Sequence, residues 1–133
     1  MRIFHTHHLD QRRGQRSLRR EAIDLAAAPG KDEGNGRYRL TERERSALAA
    51  QFRADLRDSQ RSRQWLLREH HALRAVESPD EDTLRALEAL ARALSIADDR
   101  ISTARISLVT LERARGITVV CDGTCALTAW RQV

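Results

Sequence analysis

Cys121 and Cys125, spaced C-x-x-x-C around Asp122-Gly123, are the side chains of this sequence with the most obvious capacity for chemistry. Two thiolates can bind zinc, with His5, His7 or His8 completing a tetrahedral set. They can also form a disulfide or a redox pair, or simply pack within a hairpin. Strand geometry bears on the choice. If Asp122-Gly123 is a two-residue turn, Cys121 pairs with Thr124 and Val120 with Cys125. Side chains alternate along a strand, so the two sulfurs then point to opposite faces. That register disfavours both a metal and a disulfide, and a longer turn would reverse the conclusion. No metal or cofactor is therefore expected, and Cys121, Cys125, His5 and His7 stand as a subordinate metal- or redox-sensing alternative.

His5, His7 and His8 form the main histidine cluster. An H-x-H pair on a strand places two imidazoles on one face, where they could take a metal. No carboxylate or second ligand pair lies nearby in sequence, so an exposed polar N-terminus is the simpler reading. His70 falls in the apolar stripe of a long helix and reads as a packed residue. The chain has no G-x-S-x-G, H-E-x-x-H, P-loop or EF-hand pattern. Its helical carboxylates mostly sit three or four positions from arginines, as ordinary surface pairs do. The expectation is a protein that is not an enzyme.

Charge is the next chemical resource. The net charge is +5, and Lys31 is the only lysine among 24 basic residues. Arginine in such excess suits bidentate contacts to phosphate or carboxylate, and equally suits the codon usage of a GC-rich genome. Nine basic and five acidic residues fall in 1–40, whereas 79–133 holds seven and eight, so the basic character belongs to the first half. Arg12, Arg13, Arg16, Arg19 and Arg20 form a basic arm. At about 100° per residue, Arg53, Arg57, Arg61 and Arg68 cluster in a narrow stripe with Gln64 among them, flanked by Trp65. Positive charge beside an exposed aromatic contacts phosphates and stacks on bases, or anchors a protein interface. The plain alternative is a solvated face partly compensated by Asp55, Asp58 and Glu69.

The elements that must position these residues are mostly helical. Aromatics make up 4% of 133 residues, while Leu and Ala abound. Leu87, Leu90, Leu94, Ala97, Ile101, Ala104, Leu108 and Leu111 step by three and four without a miss, the a/d seam of a heptad pattern. Thr41-Glu42-Arg43-Glu44 reads as a capping box opening a first long helix that runs to about residue 77. Its stripe is Leu48, Phe52, Leu56, Leu66, Leu67 and Leu73, interrupted by Ser59, Arg63 and His70. Ser78 as N-cap, Pro79 and Glu81 open a second, from about 79 to 115, ended by Gly116.

The fold class is therefore mainly α: an antiparallel helical hairpin, about 41–77 and 79–115. An N-terminal helix over 10–28, stopped by Pro29-Gly30, precedes it, and 29–37 reads as a polar linker. A small β-hairpin follows from Ile117–Val120 and Cys125–Trp130, with a strand at 2–8 as a possible third strand. The domain organisation is a single domain, 1–133, in three segments: 1–40, 41–115 and 116–133.

Leu73 beside Leu87 sets a register that brings Arg63 to Asp98, so a register-fixing ion pair between them is expected. Leu84, Ala91, Ile106 and Val109 widen the second helix beyond what one partner covers. The N-terminal helix, the β-hairpin or a second copy must cover that flank, and a homo-oligomer is expected. No stretch is long and apolar enough to span a membrane, and the N-terminus lacks a signal-peptide core, so the expected location is cytoplasmic. No family resemblance emerges. The function expected is that of a helical-hairpin binding protein: a small regulator, inhibitor or accessory subunit. It would act on a protein or nucleoprotein complex, with direct nucleic-acid contact possible through the basic face. A structural coiled-coil oligomer without ligand is the alternative.

Overall fold

The capping box at Thr41 closes in both directions. The Glu44 amide donates to Thr41 Oγ1 at 3.2 Å, and the Thr41 amide donates to Glu44 Oε2 at 3.3 Å. The computed structural model, which describes residues 3–15, 18–27 and 31–131, starts its first long helix one residue later. In chain order the elements are β1 (Phe4–His5), α1 (His7–Gln15), α2 (Arg20–Ala27), β2 (Lys31–Gly34), β3 (Arg37–Arg39), α3 (Glu42–Arg74), α4 (Glu81–Arg113), β4 (Ile117–Asp122) and β5 (Cys125–Arg131).

Helices α3 and α4 form the expected antiparallel hairpin. Their joint differs in detail. Asp80, not Ser78, caps α4: its Oδ1 accepts from the Thr83 amide at 2.8 Å. Ser78 instead takes a left-handed backbone, φ 50°, and turns the chain. Gly116, φ 76°, follows α4 as expected. All eight seam positions of α4 are buried or half-buried, with Ala97, Ile101, Ala104 and Leu111 the most enclosed. The partner seam on α3 is Arg45, Ala49, Phe52, Leu56, Ser59, Arg63, Leu66, His70 and Leu73, each buried or half-buried. Leu67, assigned by sequence to this stripe, is exposed, because one step past Leu66 rotates it about 100° away from the seam. Leu84, Ala91, Ile106 and Val109, which widen the apolar surface of α4, all remain exposed.

Residues 31–37, expected to lie in a polar linker, form strand and turn instead. Asp32 pairs with Tyr38 and Lys31 with Arg39, so β2 and β3 form a hairpin around Asn35-Gly36. Both turn residues have positive φ, 54° and 71°, the conformation Asn-Gly adopts most readily. The hairpin extends the C-terminal one into a five-stranded sheet of order β1-β5-β4-β3-β2. β1 joins parallel to β5, and all other pairs are antiparallel. The N-terminal strand thus exists, but spans only Phe4–His5 before α1 begins. The single helix expected over 10–28 is two, α1 and α2; Pro29-Gly30 lies outside the described residues.

The last turn also shifts. Asp122 pairs with Cys125, so Gly123-Thr124 is the turn, not Asp122-Gly123. Only Gly123 has positive φ there, as in a hairpin turn with glycine at its first central position. The ladder slips between Val120 and Cys121, where Leu127 is left as an unpaired bulge residue. That bulge lets Ala126 and Ala129, three apart, both face inward and leaves Leu127 exposed. Helices α1 and α2 cover one face of the sheet. Ile3, Leu9, Leu18, Ala22, Ile23, Ala26, Ile117, Val119, Ala126 and Ala129 make the core between them.

By contacts the chain groups into two compact units, 1–50 with 107–133 and 51–106, whose boundaries fall inside α3 and α4. Among the described residues, no helix is long and apolar enough to cross a membrane.

The β2–β3 turn depends on a close backbone approach. A Cβ on Gly36 would lie 2.4 Å from the Cys121 carbonyl oxygen, and the Cys121 amide donates to the Gly36 carbonyl at 2.8 Å. Gly36→Ala is expected to cost at least about 2 kcal/mol, from the clash and from its positive φ. Urea unfolding measures this; an unchanged midpoint would mean that the turn does not hold this position.

Candidate functional site

On α3, Arg53, Arg57, Arg61 and Arg68 are all exposed, and Gln64 and Trp65 with them. Trp65 is 58% accessible. The stripe stays together because α3 is uninterrupted from Glu42 to Arg74. None of the four guanidinium groups has an ion-pair partner among the described residues; neither have Asp55, Asp58 and Glu69. The carboxylates proposed to compensate the stripe therefore do not touch it. Their angular positions put them on the opposite flank of α3. The result is a helix with a basic flank and an acidic flank on either side of its seam.

The two sides of the 51–106 hairpin differ accordingly. One carries a polar groove lined by Gln60, Arg63, Gln64, Asp98, Ser102 and Arg105 around Ile101. The other carries a groove of about 250 Å³ lined by Ser59, Ser62, Leu66, Ala93, Ile96 and Ala97, with Asp58 and Arg100 at its rim. The first groove adjoins the basic flank of α3 and the second its acidic flank. The second groove does not follow from an apolar count, because its walls are mostly alanine and serine. Its signal in the sequence is the pairing of Ala93 with Ala97, one helical turn apart.

Arg63 Nε lies 2.6 Å from Asp98 Oδ1, in the register set by Leu73 and Leu87. The two side chains are 42% and 57% exposed, so the pair sits at the rim of the seam and not inside it. An exposed pair of this kind contributes about 0–1 kcal/mol. A second cross-helix pair joins Arg45 to Glu112 at 3.2 Å. Arg45 also bonds Glu42, whose carboxyl is held below its ordinary range chiefly by that hydrogen bond.

The described residues of the basic arm are divided between α1 and the start of α2, with Arg13 and Arg19 lining one groove beside Asp10, Gly14 and Leu18. Arg12 and Arg13 lie on α1, Arg19 precedes α2 and Arg20 begins it, while Arg16 is outside the described residues. Arg13 Nη2 is 3.5 Å from Asp10.

The thiols and imidazoles do not converge. Cys121 pairs with Ala126, and Cys125 with Asp122. These are adjacent rungs, so the sulfurs face opposite sides of the sheet even though the turn has moved. Both thiols are free. Burial, reinforced by neighbouring Cys125, pushes the Cys121 thiol above its ordinary range, which favours the weakly nucleophilic protonated form. His5 and His7 do not share a strand face, because β1 ends at His5 and His7 begins α1. His7 contacts Gln11 on its own helix at 3.1 Å. His5 is fully enclosed, with Nε2 2.7 Å from Asp24 Oδ1 and Nδ1 3.8 Å from Asp10 Oδ1. It ties β1 to α2. Among the described residues, no three His, Cys, Asp or Glu side chains are grouped to hold a metal.

One further contact escaped sequence reasoning. The Arg37 guanidinium lies 5.9 Å from the Trp130 ring centroid, a cation–π approach across the sheet. It becomes visible only once 37–39 is recognised as a strand beside β4.

No family model, no curated protein and no solved structure matches the chain.

Asp24→Ala leaves the enclosed His5 imidazole without its partner and is expected to cost about 1–3 kcal/mol. Arg63→Leu, removing an exposed pair, is expected to change stability by less than about 1 kcal/mol. Chemical denaturation of both variants tests the contrast. Equal losses would show that burial does not separate the two contacts.

Proposed function

We propose that this chain is a cytoplasmic, non-enzymatic helical-hairpin binding protein. It acts as a small regulator, inhibitor or accessory subunit on a protein or nucleoprotein complex, and it works as a homo-oligomer. The observation that carries this reading is the exposed basic flank of α3, in which Arg53, Arg57, Arg61 and Arg68 have no ion-pair partner among the described residues and Trp65 is exposed beside them. Unpaired arginines have already given up intramolecular compensation, so a ligand carboxylate or phosphate meets them without first breaking a contact. A large exposed indole next to such charge supplies contact area that a merely solvated face does not need.

The test is affinity capture with the whole chain and with Arg57→Ala/Arg61→Ala, each with and without nuclease, over a range of salt. The wild type is expected to retain a partner at low salt and release it as salt rises. The double variant should bind at least about tenfold more weakly, which is roughly 1.4 kcal/mol. Loss of capture after nuclease assigns the contact to nucleic acid, and persistence assigns it to protein. Equal capture by wild type and variant would overturn the reading.

A further inference from the structure

The groove between α3 and α4 on the side away from the basic stripe is lined by Ile96, 53% exposed, together with Ser59, Ser62, Ala93 and Ala97, and by half-buried Leu66. A hairpin of two helices leaves such a side open, because each helix has only one neighbour. Small residues along both walls let another pair of helices approach closely. Charge indicates which pair. Asp58 on α3 and Arg100 on α4 flank the groove, and neither has an ion-pair partner among the described residues. The Arg63–Asp98 register puts these two at nearly the same level of the hairpin.

We propose that a second copy of this chain occupies this groove, related by a two-fold axis along the length of the hairpin, to form an antiparallel four-helix bundle. This axis lays α3 of one copy over α4 of the other. Asp58 then meets Arg100 of the second copy, and the reciprocal pair forms by symmetry. Each helix gains a second antiparallel neighbour, so the helix dipoles oppose throughout. The opposite two-fold, across the hairpin, would lay α3 on α3 and bring its acidic flank against itself. The area suffices: a face about 35 Å long and 20 Å wide buries roughly 1,400 Å² over both copies, within the range of stable interfaces. The other flank of α4 also exposes apolar groups, but Arg63, Asp98, Ser102 and Arg105 interrupt that side. The proposal rests on the homo-oligomer reading alone. The arginine stripe faces away from this groove and is untouched by the test.

The experiment is sedimentation equilibrium of the whole chain and its variants, with circular dichroism as a check on folding. The wild type is expected at twice its 15.2 kDa chain mass. Ile96→Glu, at an exposed position, should give the monomer mass with unchanged helix content. Asp58→Arg alone and Arg100→Asp alone should each be monomeric, and mixing the two should restore the dimer. An intramolecular Asp58–Arg100 contact cannot produce that rescue in trans. A monomeric wild type, a dimer that survives Ile96→Glu, or mixed variants that stay monomeric would each overturn the proposal.

Discussion

The packing of α4's unbroken three-four seam against α3 governs the arrangement of the molecule's surfaces. An apolar stripe of that period must face a partner along its whole length. Ser78, in a left-handed conformation, and the Asp80 cap reverse the chain within a few residues, so the partner is α3. Once the seams meet, the side of every other residue on both helices is decided. Arg53, Arg57, Arg61 and Arg68 turn outward together, and Asp55, Asp58 and Glu69 take the other flank. The polarity of α3 at Ser59, Arg63 and His70 then has a physical meaning. These residues lower the apolar content of the seam without leaving it, since Arg63 reaches out to Asp98 at the rim.

The 51–106 unit presents two unlike surfaces. The arginines of its basic flank have no ion-pair partner among the described residues and stand beside an exposed indole, and its other side carries a groove of small and aliphatic side chains. Surfaces of these two kinds differ in physical reach. Separated charge attracts a partner from a distance and is sensitive to salt, whereas a close-fitting groove is short-ranged and indifferent to it. In the other unit several polar and aromatic groups hold elements together. His5 binds Asp24, Arg37 lies by Trp130, and Cys121 is pressed against the core with its thiol pushed toward the protonated form.

Much of this fold is legible in the residues themselves, and where it is not, the cause is physical. The α4 seam is readable because leucine, isoleucine and alanine meet every position of the period. The Thr41 capping box is readable because it is local. The β2–β3 hairpin is not, because Lys31-Asp32-Glu33-Gly34 lacks β-branched residues and alternation, and its strand character comes from pairing with β3. Asn35-Gly36 was the available signal. The shift of the last turn to Gly123-Thr124 depends on the bulge at Leu127, which follows from burying Ala126 and Ala129 together. The arginine stripe needed only helical periodicity. The groove on the opposite side needed both helices and their register before alanine and serine positions on separate elements could be seen to share a wall.

The hairpin register is tested most directly by a distance. Spin labels on Gln60→Cys and Ser102→Cys, with Cys121 and Cys125 replaced by serine and the labelled chain diluted in unlabelled protein, report one intramolecular separation. Both positions line the same groove. Helices packed at about 8–10 Å between axes place the labels within roughly 20 Å, in a single narrow distribution. A broad distribution, or one centred beyond roughly 35 Å, would mean that α3 and α4 do not pair in this register, and with it the assignment of both flanks would fail.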